Sequence, residues 1–71
     1  MTYEIWDFET GNAVAEFVTE EDALSEVRDN LRRLGPAVLQ GIALLRVDAR
    51  GRSALVAKGD ELMRLVLERA V

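Results

Sequence analysis

The chain has 71 residues, a net charge of −4, no cysteine and no histidine. A chain this short is expected to form one domain, residues 1–71, with a small core, because it buries only about 60% of its unfolded surface. Without cysteine and histidine there are no disulfides, thiolate nucleophiles, imidazole bases or soft-metal sites. We therefore expect a protein that is not an enzyme and that has no metal site and no cofactor.

The charges are unevenly distributed along the chain. Residues 1–26 carry eight acidic and no basic residues, whereas residues 27–58 carry seven basic and two acidic residues. Such polarity can steer self-association or attract a charged partner, including a basic protein, to one end. No apolar run approaches the roughly 20 residues of a membrane span, and the N-terminus has no signal-peptide pattern. We expect a cytoplasmic protein with no membrane partner.

Residues 3–7 and 13–17 are aromatic and β-branched runs that predict a first β-hairpin with its loop at residues 9–11. This loop gives the register pairs Tyr3/Phe17, Ile5/Ala15 and Trp6/Val14. Alternation then places one set of side chains toward the core, namely Tyr3, Ile5, Ala15 and Phe17. The opposite face carries Trp6, Phe8 and Val14 beside Glu4 and Glu16.

Residues 19–34 predict an amphipathic helix with both ends specified. Thr19 is a suitable N-cap, because its hydroxyl can accept from the backbone N–H of Asp22. The apolar stripe that should cover the sheet consists of Leu24, Val27, Leu31 and Leu34, with Ala23 beside it. Gly35 is expected to take the left-handed position that ends the helix, and Pro36 prevents its continuation.

The second half of the chain repeats this pattern. Residues 42–48 and 53–58 predict a second hairpin, and a terminal helix is expected from Asp60 to about Ala70. An offset of 40 residues aligns Gly51 with Gly11 and Leu45 with Ile5. With this offset the core face carries Ala43, Leu45, Val47, Leu55 and Ala57, and the opposite face carries Ile42, Leu44 and Val56 beside Arg46. The predicted fold is an α+β ββαββα pseudo-repeat, a four-stranded antiparallel sheet with two helices on one face.

Apolar side chains on the face opposite the helices predict an interface, because a monomer rarely exposes a large contiguous apolar patch. The candidate interface residues on this face are Trp6, Val14, Leu44 and Val56. A second candidate surface on the terminal helix contains Met63 and Leu67. Both surfaces favour a homo-oligomer, with a dimer as the default. For the terminal helix, the alternative is that its apolar residues pack deeply in the core of the same chain.

Carboxylates and arginines lie near the predicted hairpin turns. Asp7, Glu9 and Asp48 are expected to accept backbone hydrogen bonds in these turns rather than to act in catalysis. The candidate nucleic-acid contacts are Arg46, Arg50 and Arg52, since a basic β-ribbon can enter a groove. The acidic overall charge counts against that function.

Two segments carry a resemblance to known proteins. Residues 3–7 and 10–12, followed by residues 19–24, resemble small uncharacterised bacterial proteins with an N-terminal hairpin and an acidic-capped helix, a likeness that implies no activity. The T-E-E-D-A-L segment at residues 19–24 is also similar to the helix start of HicB-type antitoxins, which implies a partial ribonuclease-H-like fold. Those domains have a third strand before the helix and usually a DNA-binding segment after it, which this pattern lacks.

The functional prediction is a non-catalytic association module of a small bacterial protein, functioning as a homodimer. The alternative is a HicB-like antitoxin or a nucleic-acid-associated regulator, in which the acidic first third of the chain would mask a basic toxin.

Overall fold

The secondary structure follows the order ββαββα, as predicted. The computed structural model describes residues 1–69, so Ala70 and Val71, which the sequence places at the end of the terminal helix, lie outside the described residues. The elements are β1 Thr2–Asp7, β2 Asn12–Phe17, α1 Glu20–Leu34, a 3-10 helix Pro36–Gly41, β3 Ile42–Val47, β4 Ser53–Lys58 and α2 Gly59–Arg69.

The four strands form one antiparallel sheet in the order β2-β1-β3-β4. Helix α1 contacts β1 and β2, α2 contacts β3 and β4, and the two helices contact each other. Apolar residues of both helices and of the sheet form a single buried cluster, which contains Ile5, Leu24, Leu44, Leu62 and Val66. Both helices therefore cover the same face of the sheet, and the fold has two layers.

The ends of α1 form as the sequence predicts. Thr19 has an extended backbone, and its Oγ1 accepts a hydrogen bond from the Asp22 backbone N–H at 3.1 Å. This contact satisfies one of the N–H groups that a helix start leaves without a partner. At the other end Gly35 has φ +87° and donates its N–H to the Leu31 carbonyl at 2.9 Å. A side chain would be strained at this φ, which explains why glycine ends the helix.

The apolar stripe of α1 covers the sheet over most of its length. Ala23, Leu24 and Val27 are buried, and Leu31 packs partly buried against the core. Leu34, which the sequence also assigns to the stripe, is 60% exposed. The prediction is wrong at this residue because the helix ends there, next to Gly35.

The hairpin turns are stabilised by the carboxylates that precede them. Asp7 Oδ1 accepts from the Glu9 backbone N–H at 2.8 Å. Asp48 Oδ1 accepts from the Arg50 and Arg52 N–H groups at 2.8 and 2.9 Å. The predicted turn role of Asp7 and Asp48 is confirmed, whereas Glu9 contributes only its backbone N–H.

Each edge strand contains a β-bulge that the sequence does not predict. In the first hairpin Tyr3 pairs with Phe17 and Ile5 with Ala15, as expected, but Trp6 pairs with Ala13. Val14 is the extra residue, so the predicted Trp6/Val14 pair is wrong. In the second hairpin Leu44 pairs with Ala57 and Leu45 with Leu55, which leaves Val56 as the extra residue.

The predicted faces of β3 are inverted. Ile5 pairs with Leu44, and both side chains lie in the core. Partners across an antiparallel pair share a face, so alternate residues of β3 point the same way as Leu44. The core side therefore carries Ile42 and Leu44, and the opposite side carries Ala43, Leu45, Val47 and, through its pairing, Leu55. Ala57 is on the core side as predicted, and Val56 packs partly buried against the core.

The error comes from the offset used to align the two halves. The buried helix residues Ala23 and Val27 correspond to Leu62 and Val66, an offset of 39 rather than 40. Ile5 then corresponds to Leu44, its own partner across the centre of the sheet. A shift of one residue in a strand moves every side chain to the other face. The pseudo-repeat is present, and only its alignment was wrong.

Candidate association surface

The outer face, defined as the side of the sheet opposite the helices, consists of three rows of paired residues. The first row is Ala13, Trp6, Ala43 and Lys58, the second is Glu16, Glu4, Leu45 and Leu55, and the third is Thr2, Val47 and Ser53. Its apolar side chains come from all four strands. Helices α1 and α2 lie on the other side of the sheet, so no helix within residues 1–69 covers this face.

Apolar side chains remain accessible across the outer face. Leu55 is 54% exposed, and Trp6, Leu45 and Val47 are half-buried. Val14, the extra residue in the bulge of β2, is 58% exposed at the edge. The molecule measures 34 × 29 × 17 Å, so its thickness is the smallest of its three dimensions.

The charged residues of the outer face lie on three of its strands. Glu16 on the edge strand β2 pairs with Glu4 on the central strand β1, so the half of the face formed by β2 and β1 is acidic. Lys58 on β4, at the other edge, is basic. The two central strands also carry the apolar residues Trp6 and Leu45, and Leu45 pairs with Glu4. A mixture of apolar and polar side chains is the usual composition of a protein interface.

The two edge strands are poorly suited to pairing with another sheet. Both β2 and β4 contain a bulge, at Val14 and Val56 respectively. A bulge interrupts the regular ladder of backbone groups and increases the twist of an edge, which hinders edge-to-edge association. The outer face, rather than either edge, is therefore the candidate association surface.

Comparison of the chain with protein-family models, with curated proteins and with solved structures finds no match. The resemblances to small bacterial proteins and to HicB-type antitoxins stay predictions.

The six predicted interface residues do not form one surface. Trp6 lies on the outer face and Val14 at its edge, but Leu44 is 0% exposed in the core. Leu44 and Val56 were wrongly assigned to this face, because the alignment of the halves was one residue off. Met63 packs partly buried against the core, and Leu67 is 59% exposed on α2, in the other layer.

Sequence reasoning missed Leu45, Val47 and Leu55, which make up much of the outer face. The misleading signal was the match of the turn glycines Gly51 and Gly11, which gives an offset of 40 residues. In the structure Arg46 pairs with Tyr3 near the end of the sheet, where it is exposed despite lying on the core side. The buried positions of the two helices contained the correct signal, since they align with an offset of 39.

The candidate nucleic-acid residues lie at one end of the molecule. Arg50 and Arg52 are exposed in the β3–β4 turn, and Arg46 lies on the adjoining part of β3. The Arg52 guanidinium pairs with Asp48 at 3.3 Å, which reduces the positive charge of this turn. Lys58, at the far end of β4, does not join this group, so the basic residues of the second hairpin do not form a single surface.

A small groove of about 160 Å³ separates α1 and α2, lined by Glu21, Leu24, Ser25, Arg28, Val66 and Arg69. The Arg28 Nε is shielded from water and has no hydrogen-bond partner among residues 1–69. A ligand in the groove would have to displace a neighbouring side chain to reach this nitrogen. Arg69, which also lines the groove, is paired with Glu20 at 3.2 Å.

Residues 1–69 contain neither a group of metal ligands nor a membrane-spanning helix. No three Asp or Glu side chains in this range are grouped so that they could hold a metal ion. None of the helices in the described part of the chain is both long and apolar enough to cross a membrane.

Proposed function

We propose that the protein is a non-catalytic association module that forms a homodimer through the outer face of its sheet. The observation that carries this proposal is the set of uncovered apolar side chains on that face, with Trp6 and Leu45 on the two central strands. Burial of such a patch by a second molecule is favoured, at roughly 25 cal/mol per Å² of apolar surface.

Three features favour a second copy of the chain as the partner. The face carries acidic residues on β2 and β1 and a basic residue on β4, so its two halves are complementary in charge. The bulges in β2 and β4 oppose edge pairing and leave face-to-face stacking. Trp6 lies on a central strand, and a large aromatic residue near the centre of an interface commonly contributes much of the binding energy.

The lack of histidine and cysteine supports a non-catalytic role. The turn carboxylates Asp7 and Asp48 lie at opposite ends of the sheet, and each accepts backbone hydrogen bonds that stabilise its turn.

The experiment compares the wild type with Trp6→Glu in sedimentation equilibrium. We expect the wild type to be dimeric at high micromolar concentration and Trp6→Glu to be monomeric, because a carboxylate at the centre of the interface would be desolvated. Folding and association are coupled, so the melting temperature of the wild type should rise with concentration and that of the variant should not.

Leu67→Glu is the control on the other layer, because Leu67 is 59% exposed on α2 and thus about as accessible as Leu55 on the outer face. This variant should remain dimeric. Leu55→Glu changes an exposed residue at the edge of the outer face, and this variant should also be monomeric. It provides a second test of the outer face in case substitution of Trp6 unfolds the chain. A wild type that sediments as a 7.9 kDa monomer at high micromolar concentration would refute the proposal. If Leu67→Glu is the one variant that loses the dimer, the interface lies on α2 and not on the outer face.

A further inference from the structure

The charge pattern of the outer face distinguishes two ways of stacking two copies. Aligned sheets can be related by a two-fold axis that runs along the strands or by one that runs across them. An axis along the strands places β2 of one copy over β4 of the other. An axis across the strands places β2 over β2, and β4 over β4.

The second arrangement brings like charges together. It stacks the acidic side of one copy, Glu4 and Glu16, on the acidic side of the other, and it places both Lys58 residues at the opposite edge. Like charges juxtaposed across an interface cost several kcal/mol. The first arrangement has the opposite effect, because the basic edge of each copy then lies over the acidic edge of its partner.

We propose that the two copies stack with the two-fold axis along the strands, so that Lys58 of each copy pairs with Glu16 of the other. In this arrangement Lys58 lies over β2 beside Ala13, and its long flexible side chain can reach Glu16 on the same strand. The symmetry produces two such ion pairs in each dimer. This inference rests on the proposed function, since it specifies how the outer faces meet.

The test uses the two charge reversals Glu16→Lys and Lys58→Glu. Each variant alone should self-associate with a dissociation constant at least about tenfold above that of the wild type, because both ion pairs become repulsive. An equimolar mixture should form a heterodimer in which both pairs are again attractive, with an affinity near that of the wild type. Sedimentation equilibrium with one variant fluorescently labelled measures all three associations.

The matched controls are Arg64→Glu and Glu68→Lys, which reverse exposed charges on α2. They should self-associate like the wild type and show no preference for each other. Circular dichroism melts show whether each variant is folded. If a reversal unfolds the chain, the neutral pair Glu16→Gln and Lys58→Gln replaces it, and each should reduce the salt dependence of dimerisation.

The outcomes separate this inference from the proposed function. If both reversals dimerise like the wild type while Trp6→Glu is monomeric, the orientation is wrong and the association surface stands. The same conclusion follows if the reversals weaken the dimer but the mixture gains no affinity. If Trp6→Glu remains dimeric, the outer face itself is the wrong surface.

Discussion

The two faces of the sheet differ sharply although they are built from alternate residues of the same strands. Leu44 is 0% exposed beneath the helices, whereas its neighbour Leu45 is half-buried on the outer face beside Glu4. The same residue type therefore serves the fold at one position and is available for association at the next. In a small domain with two helices, covering one face leaves the other uncovered.

Substitution of the two leucines gives the largest contrast. Leu44→Ala should lower the free energy of unfolding by about 2 to 5 kcal/mol, because it leaves a cavity in the core. Leu45→Ala should cost about 1 kcal/mol or less in dilute solution, because that side chain is already partly hydrated. Urea melts at low protein concentration measure both values. Equal losses, or a larger loss for Leu45→Ala, would show that the faces are assigned incorrectly.

The helix layer provides a second contrast of the same kind. Leu24→Ala should destabilise the protein by about 2 to 4 kcal/mol, since Leu24 is buried in the stripe of α1 that packs on the core face. Leu34→Ala, at the exposed end of the same helix, should change stability by less than about 0.5 kcal/mol. A loss below that value for Leu24→Ala in denaturant melts would contradict the packing of α1 on the sheet.

A smaller effect concerns the turn that joins β3 to β4 and fixes their register. The Arg52 backbone N–H lowers the pKa of Asp48 from its usual value of 3.8, and the Arg50 N–H and the Arg52 guanidinium act in the same direction. The pKa of Asp48 is therefore lower in the folded state than in the unfolded state. The Asp48 carboxylate stabilises the fold fully at pH values above the unfolded-state pKa, and this stabilisation is lost as the pH falls through the folded-state pKa.

We therefore expect Asp48→Ala to melt at a lower temperature than the wild type at neutral pH, with a difference that shrinks below about pH 3.8. Thermal melts over a pH series measure this difference. A difference that does not depend on pH would mean that the Asp48 carboxylate does not stabilise the turn through its charge. Glu61→Ala, which removes an exposed carboxylate of α2, is the control.

Much of the fold could be predicted from local signals. Thr19, Gly35 and Pro36 specify the ends of α1, and the turn carboxylates Asp7 and Asp48 mark both hairpins. These signals depend on a few neighbouring residues and on backbone hydrogen bonds within one turn. The order ββαββα and the placement of two helices on one face follow from them.

The faces of the second hairpin could not be predicted in the same way. Side chains of a strand alternate between the two faces of the sheet, so an alignment error of one residue exchanged the predicted faces of β3 and placed Leu44 on the outer face. The bulges at Val14 and Val56 add a second difficulty, because neither position carries the glycine that often marks a bulge. Sequence reasoning therefore placed Trp6 on the outer face, where the structure has it, and missed Leu45 and Leu55.

The central claim is that a second copy of the chain covers the outer face, and an isotope-filtered nuclear Overhauser experiment tests it most directly. A mixture of labelled and unlabelled protein at high concentration reports only contacts between copies, and Trp6 is the single tryptophan. We predict cross-peaks from the Trp6 indole of one copy to the Leu45 and Leu55 methyl groups of the other. Intermolecular cross-peaks that involve only Met63 and Leu67, or none at all, would contradict the account.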